Sequence, residues 1–212
     1  MASLALLTPP VDWALSLDEV KAQLRIDFDD DDVYLASLIA AATTHCEAVT
    51  GRQLLPATYQ LRLDHWPGSM YRIDRYPWSH HVIEIPRPPM IALTSIQYYD
   101  MGGNLTLWDP SNYVVDQPSG YLAGRTRISL AFTKYWPVIL PQADSVLVEF
   151  TAGYPYTGTR TPPSGVPPAL KLGMQIAITD WYEVRNEGTA DPMRARRLWL
   201  PYVSRSETRQ LD

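Results

Sequence analysis

The residues of this chain whose types and spacing could do chemistry fall into four groups. The first is the run Asp29-Asp30-Asp31-Asp32. A calcium loop needs acids at alternate positions, a central glycine and a closing glutamate. Here four consecutive aspartates run straight into an apolar segment, which fits helix capping instead: carboxylates beside the first turn meet the positive end of the helix dipole. The second group is His80, His81 and Glu84. On a strand His80 and Glu84 share a face while His81 points away, and two ligands leave a metal's coordination incomplete. The third is His45-Cys46, whose side chains diverge by about 100° on a helix, so they do not make a nucleophile–base pair; Cys46 reads as a small core residue. The fourth is the aromatic and arginine-rich stretch Tyr71, Arg72, Arg75, Tyr76 and Trp78. Such residues stack on nucleic acid or fill protein interfaces. Asp74 interrupts them and the chain is acidic, so they are expected at a subunit interface or in a solvated loop. No G-x-S-x-G, P-loop or G-x-G-x-x-G occurs. Neither enzymatic activity, nor a metal, nor a cofactor is expected.

The elements that must position these groups follow from periodicity. Ser16 and Glu19 form a capping box, and Leu15 and Val20 can close a staple around it, predicting a short helix from Leu17 to Arg25. A long helix is predicted from Asp29, as N-cap, to Gly51, with Phe28 and Val33 as its staple. Leu35, Leu38, Ile39, Ala42, Cys46 and Val49 recur on one apolar face, and Gly51 supplies the left-handed stop. From Thr58 the period changes to two, and strands are predicted at 58–63, 82–85, 93–100, 105–108, 113–115, 127–130 and 146–150. Residues 71–81 read as an exposed loop or irregular hairpin. Helix returns at Pro168, with Leu170, Met174, Ala177, Ile178 and Trp181 on one face; Gly173 would allow a close neighbour, and Gly188 and Pro192 end the helix.

The expected fold is therefore α+β: a three-helix core, a β-rich insertion between the second and third long helices, and an extended C-terminal tail. The divisions are 1–56 for the helical hairpin, 57–152 for the insertion, 153–193 for the loop and third helix, and 194–212 for the tail.

The 212 residues carry a net charge of −5, unevenly placed. Residues 1–50 hold nine acids and two bases; residues 194–212 hold five arginines and two acids. An acidic front and a basic tail suit association with copies of the chain or with a complementary partner. They do not suit sequence-specific DNA binding, which uses a basic face on a basic domain. No apolar run spans a membrane, and the N-terminus lacks the basic start of a secretory signal, so a cytosolic chain is expected.

The C-terminal stretch sets Arg194, Arg196 and Arg197 beside Leu198, Trp199, Leu200 and Tyr202. Two readings are open. The stretch folds back on its own core, or it leaves the domain and inserts its apolar side chains into a partner, with the arginines setting orientation. Repeated subunits would multiply such a shallow anchor into avidity.

LSLDEVKAQLRID at 15–27, DDDDVYLASLIAAA at 29–42 and TGRQLL at 50–55 resemble the start of phage head–tail connector (adaptor) proteins. IPRPPM at 85–90, FTAGY at 150–154, VPPALK at 166–171 and WYEVRNE at 181–187 extend the resemblance over nearly the whole chain, carried by order and spacing. Similar proteins occur in gene transfer agents. The resemblance implies a non-catalytic virion subunit at the head–tail junction, assembled in the bacterial cytoplasm. It implies a ring, usually of twelve copies, between the portal and a tail-side stopper or terminator. DNA would pass through the lumen without sequence-specific binding, and the tail at 194–203 would dock on the portal. The competing expectation is a monomeric ligand- or metal-binding domain with a pocket around His65, His80, His81 and Glu84. A DNA-binding packaging accessory is the third.

Overall fold

The long helix is where predicted, but it starts later. In the computed structural model, which describes residues 2–67, 82–155, 165–184 and 193–204, α1 spans Leu17–Leu24 and α2 spans Asp32–Thr50. The Ser16–Glu19 capping box closes at both ends, each hydrogen bond 3.0 Å long. Gly51 takes the left-handed conformation at φ 65° and ends α2. The N-cap of α2 is Asp31, not Asp29, and Phe28 and Val33 are exposed and do not staple it. The reason lies in α1: Lys21 Nζ binds Asp29 at 2.6 Å and Asp32 at 2.8 Å, so Asp29 serves the connection rather than the cap.

The described residues form four α-helices and eight strands, a mixed α+β fold with antiparallel sheets. They divide into two units. One contains residues 10–56, 120–122 and 153–212. Its helices are α1, α2, α3 (Pro168–Glu183) and α4 (Met193–Trp199). Leu35, Ile39, Ala42 and Cys46 from α2 meet Leu170, Met174, Ala177 and Ile178 from α3 in one core, joined by Leu54, Leu55, Ala195 and Trp199. Of the predicted apolar faces, Leu35, Ile39, Ala42 and Cys46 on α2 and Leu170, Met174, Ala177 and Ile178 on α3 are buried; Leu38, Val49 and Trp181 are half-buried, and Thr43 and Thr50 are buried without having been expected. Lys171 Nζ on α3 reaches Glu19 Oε1 on α1 at 2.9 Å. Residues 193–199 are a fourth helix, so the expected extended tail is corrected: this stretch is part of the core.

The other unit contains residues 1–9, 57–119 and 123–152. Its strands are β1 (Ala2–Thr8), β2 (Ala57–Leu63), β3 (Val82–Glu84), β4 (Met90–Tyr99), β5 (Leu105–Leu107), β6 (Tyr113–Asp116), β7 (Arg127–Leu130) and β8 (Val146–Ala152). A five-stranded antiparallel sheet runs β1-β2-β8-β4-β5, and a three-stranded one runs β3-β7-β6. β8 sits at the centre of the larger sheet, and its alternate residues Val146, Val148, Phe150 and Ala152 are fully buried, as a period of two requires. Ile83, Ile85 and Ile128 share one core with these and with Tyr59 and Leu61. Trp66 stacks on Trp136 at 4.7 Å and lies 5.0 Å from Trp108, and its Nε1 donates to the Pro137 carbonyl at 2.9 Å. β1 was not expected. It places residues 2–8 in the sheet unit, where the sequence had grouped them with the helical hairpin.

Among the described residues no helix is long and apolar enough to cross a membrane.

Candidate docking face of the helical unit

The C-terminal segment is built onto the helical unit by two fixed points. The first is Trp199. Gly173 leaves no side chain on α3 at this point, and the indole fills the gap: a β-carbon at 173 would stand 2.2 Å from Trp199 Nε1. That nitrogen donates to the Leu170 carbonyl at 3.3 Å. His45 on α2 meets the ring edge-on at 5.4 Å. Trp199 is completely buried, as is Ala195 one turn earlier. The reading in which Trp199 inserts into a partner is therefore corrected. A large aromatic facing a glycine on its own α3 buries its surface without leaving home.

The second fixed point is Arg52, directly after the Gly51 stop. It is 3% exposed. Its Nε donates to the Tyr202 carbonyl and its Nη1 to Tyr154 Oη at 3.3 Å. The Tyr154 hydroxyl in turn donates to the Tyr121 carbonyl at 3.0 Å. Burial raises the Tyr154 phenol above its ordinary range, with the Arg52 guanidinium opposing the shift. Ser204 N donates to the Thr50 carbonyl at 2.7 Å, so one end of α2 receives the chain up to residue 204.

α4 itself turns its polar side outward. Arg194, Arg196 and Arg197 are exposed, Leu198 and Tyr202 are half-buried, and Leu200 is 55% exposed. The face offered to solvent is thus three guanidinium groups with Leu200 and Pro201. Arginine forks bind carboxylates in two-point fashion, so this surface suits an acidic partner with a small apolar depression.

The other expected sites fare differently. Tyr71, Arg72, Arg75, Tyr76 and Trp78 lie outside the described residues, as do His80 and His81. Glu84 Oε2 faces Arg125 Nη1 at 3.7 Å. Among the described residues no group of three or more His, Cys, Asp or Glu could hold a metal ion. His45 engages Trp199 and Trp181 in ring contacts. Burial pushes the Cys46 thiol far above its usual range, which leaves it protonated. Sequence reasoning missed Arg52 altogether. Its only signal was a charged residue immediately after a helix-stopping glycine, which by itself reads as surface.

Residues 14–73 match the model of the phage gp6-like head–tail connector protein family. The connector match begins just before α1, spans α2 and β2, and carries the resemblance drawn from the sequence. The whole chain is similar in fold to a chain in the neck of an empty gene transfer agent particle computed with C6 symmetry, at 22% identity and TM-score 0.71 over 96% of each chain. A chain in the virion of a native gene transfer agent particle matches equally, with 22% identity, TM-score 0.71 and 96% of each chain. A chain in the neck of the native particle computed with C12 symmetry follows at 21% identity and TM-score 0.66, again over 96% of each. At these identities the likeness is one of fold. No curated protein matches the chain.

Proposed function

We propose that this chain is a structural head–tail connector subunit of a phage or phage-derived particle. Copies form a ring at the head–tail junction, between the portal and a tail-side stopper or terminator, and DNA passes through the lumen. The observation that carries this reading is the likeness of fold, over 96% of both chains, to chains from the neck of gene transfer agent particles. The connector-family match over residues 14–73 supports it independently. Necks computed with C6 and C12 symmetry favour a cyclic assembly. The net charge of −5 suits a conduit, since phosphates bind basic walls through counterion release and an acidic wall lets them pass. No catalytic step belongs to this role.

The portal contact is assigned to the exposed arginine face, Arg194, Arg196 and Arg197 with Leu200. Trp199 holds that face in place from beneath. Cutting the chain after Met193 would remove Trp199 from the core and test folding rather than docking. The informative variant is the triple reversal Arg194→Glu, Arg196→Glu and Arg197→Glu, because all three positions are exposed. Its circular dichroism and melting should match the parent, while portal-bearing heads incubated with it should fail to join tails. Normal joining by the reversed protein would sink the assignment.

Among the described residues of the competing pocket, Glu84 is turned to Arg125.

A further inference from the structure

We propose that the outer edge of β1 is paired, in the ring, by β5 of a neighbouring copy, so that the five-stranded sheet of one copy runs on into that of the next. The proposal rests on the ring reading above and names the surface that makes the ring.

β1 reads ASLALLT, with no charge and no proline. Among the described residues it pairs only with β2. Sheet edges in proteins that stay single are blunted by lysine, proline, bulges or covering segments, because an open row of amides and carbonyls is a template for another strand. The single irregularity in β1 falls between Leu6 and Thr8, which leaves Ala2 to Leu6 in regular register with β2. The apolar face also runs past its cover. Leu4 stands opposite Leu61 and Leu6 opposite Tyr59. Exposure climbs across this one step from 6% to 37% and from 8% to 51%. A further strand would close the backbone row and carry the covered face on past Leu4 and Leu6.

Among the described residues the far edge of the same sheet is also unpaired, although its exposed leucines lie on the face opposite Leu4 and Leu6. β5 is Leu-Thr-Leu, paired only with β4, with Leu105 46% and Leu107 60% exposed. Successive neighbours in the sheet are all antiparallel, so with five strands β1 and β5 point in the same direction. Copies related by rotation about one axis keep that direction. β5 of one copy then meets β1 of the next as a parallel pair, with the covered face on the same side in both. Two different open edges make a heterologous contact, the type that closes into a ring when the rotation allows it. Pairing of β1 with another β1 would instead be isologous and would stop at two copies. In that pairing Thr106, opposite Tyr98, joins Leu4 and Leu6 on the covered face, and Leu105 and Leu107 join Ala5 on the other face.

The experiment uses the full chain. Native mass spectrometry of the parent protein, alone and in purified necks, first establishes whether a ring is present. Chains carrying Ala5→Cys are then mixed with chains carrying Leu105→Cys or Leu107→Cys and oxidised; Cys46 is buried and stays out of the reaction. The expected product is a mixed disulfide between the two kinds of chain. Separately, Ala5→Lys and Leu107→Lys, one on each edge, should each abolish the ring while far-ultraviolet circular dichroism stays that of the parent. A ring that persists in both lysine variants and yields no mixed disulfide overturns the edge pairing and leaves the connector ring standing. Disulfides only between two Ala5→Cys chains overturn it in favour of an isologous pair. A parent protein that forms no ring, alone or in necks, overturns the ring reading and this inference with it.

Discussion

The Trp199 indole occupies the space that a side chain at Gly173 would need, with Nε1 2.2 Å and Cδ1 2.9 Å from the position of a β-carbon there. This fit is what makes the C-terminal segment part of the fold. Alanine at 173 would gain roughly 1 kcal/mol of helix propensity, but a rigid, fully buried ring cannot yield by an ångström, and overpacking costs about 1–3 kcal/mol. Gly173→Ala is therefore expected to be net destabilising in spite of its propensity. Trp199→Ala removes the whole ring and should cost about 3–5 kcal/mol. Urea titration followed by helix signal checks both. An unchanged midpoint for Trp199→Ala would show that the ring is not anchored where it is described.

Arg52 is the second anchor, and its loss has a different signature. Arg52→Met leaves the buried Tyr154 hydroxyl and the half-buried Tyr202 carbonyl without their donor, at a cost of about 1–3 kcal/mol. Lysine keeps the charge but not the fork that reaches two acceptors, so Arg52→Lys should recover only part of it. The segment after Trp199 loosens first. Amide exchange at Ser204, whose N–H is bound to the Thr50 carbonyl, should quicken more than exchange within α3. Uniform quickening through the helical unit would mean a general loss of stability instead of a released clamp.

What could be read from the sequence was what depends on neighbours a few residues away. Ser16 and Glu19 sit three apart and make their capping box unaided by the rest of the chain. Gly51 stops a helix by its own backbone freedom, and Pro168 opens one by its fixed φ. The alternation from Ala57 to Leu61 marks a half-buried strand whatever it pairs with. What failed depends on distant partners. Ala2–Thr8 is a strand because β2 lies beside it, more than fifty residues on. Asp29 read as the N-cap because nothing local showed that Lys21, eight residues back, would take it along with Asp32. Met193–Trp199 is too short for a clear period, and Gly173 far upstream fixes the burial of its last residue. The candidate docking face was half legible for the same reason. The arginines could be seen in the sequence; which apolar residue turned inward could not.

Cys46 offers a direct check on the absence of thiol chemistry in α2. Its side chain is completely buried and burial holds the thiol protonated, so the thiolate that would attack an alkylating reagent is absent at neutral pH. Iodoacetamide at pH 8 should leave the folded protein unlabelled over hours and label it at one site per chain in strong denaturant. Rapid stoichiometric labelling of folded protein would contradict the burial described for α2.

The Lys21–Asp29–Asp32 cluster predicts how stability varies with pH at the joint between α1 and α2. Hydrogen bonds to Asp29 and then to Asp32 push the Lys21 ammonium from 10.5 up to about 12. A group whose value is raised on folding contributes stability that is whole below its unfolded value. That contribution should be intact below pH 10.5 and fade as pH climbs toward 12. Asp29 is shifted the other way: its hydrogen bond to Lys21, before their charge attraction, lowers it below 3.8. Its contribution is present above pH 3.8 and is lost as pH falls below it. Because the cluster is at the surface, both effects should be modest and should shrink with added salt. Lys21→Met should flatten the stability profile at both ends relative to the parent, measured by urea titration from acid to alkaline pH. A variant that loses the alkaline slope but keeps the full acid slope would show that Asp29 draws its shift from some other group.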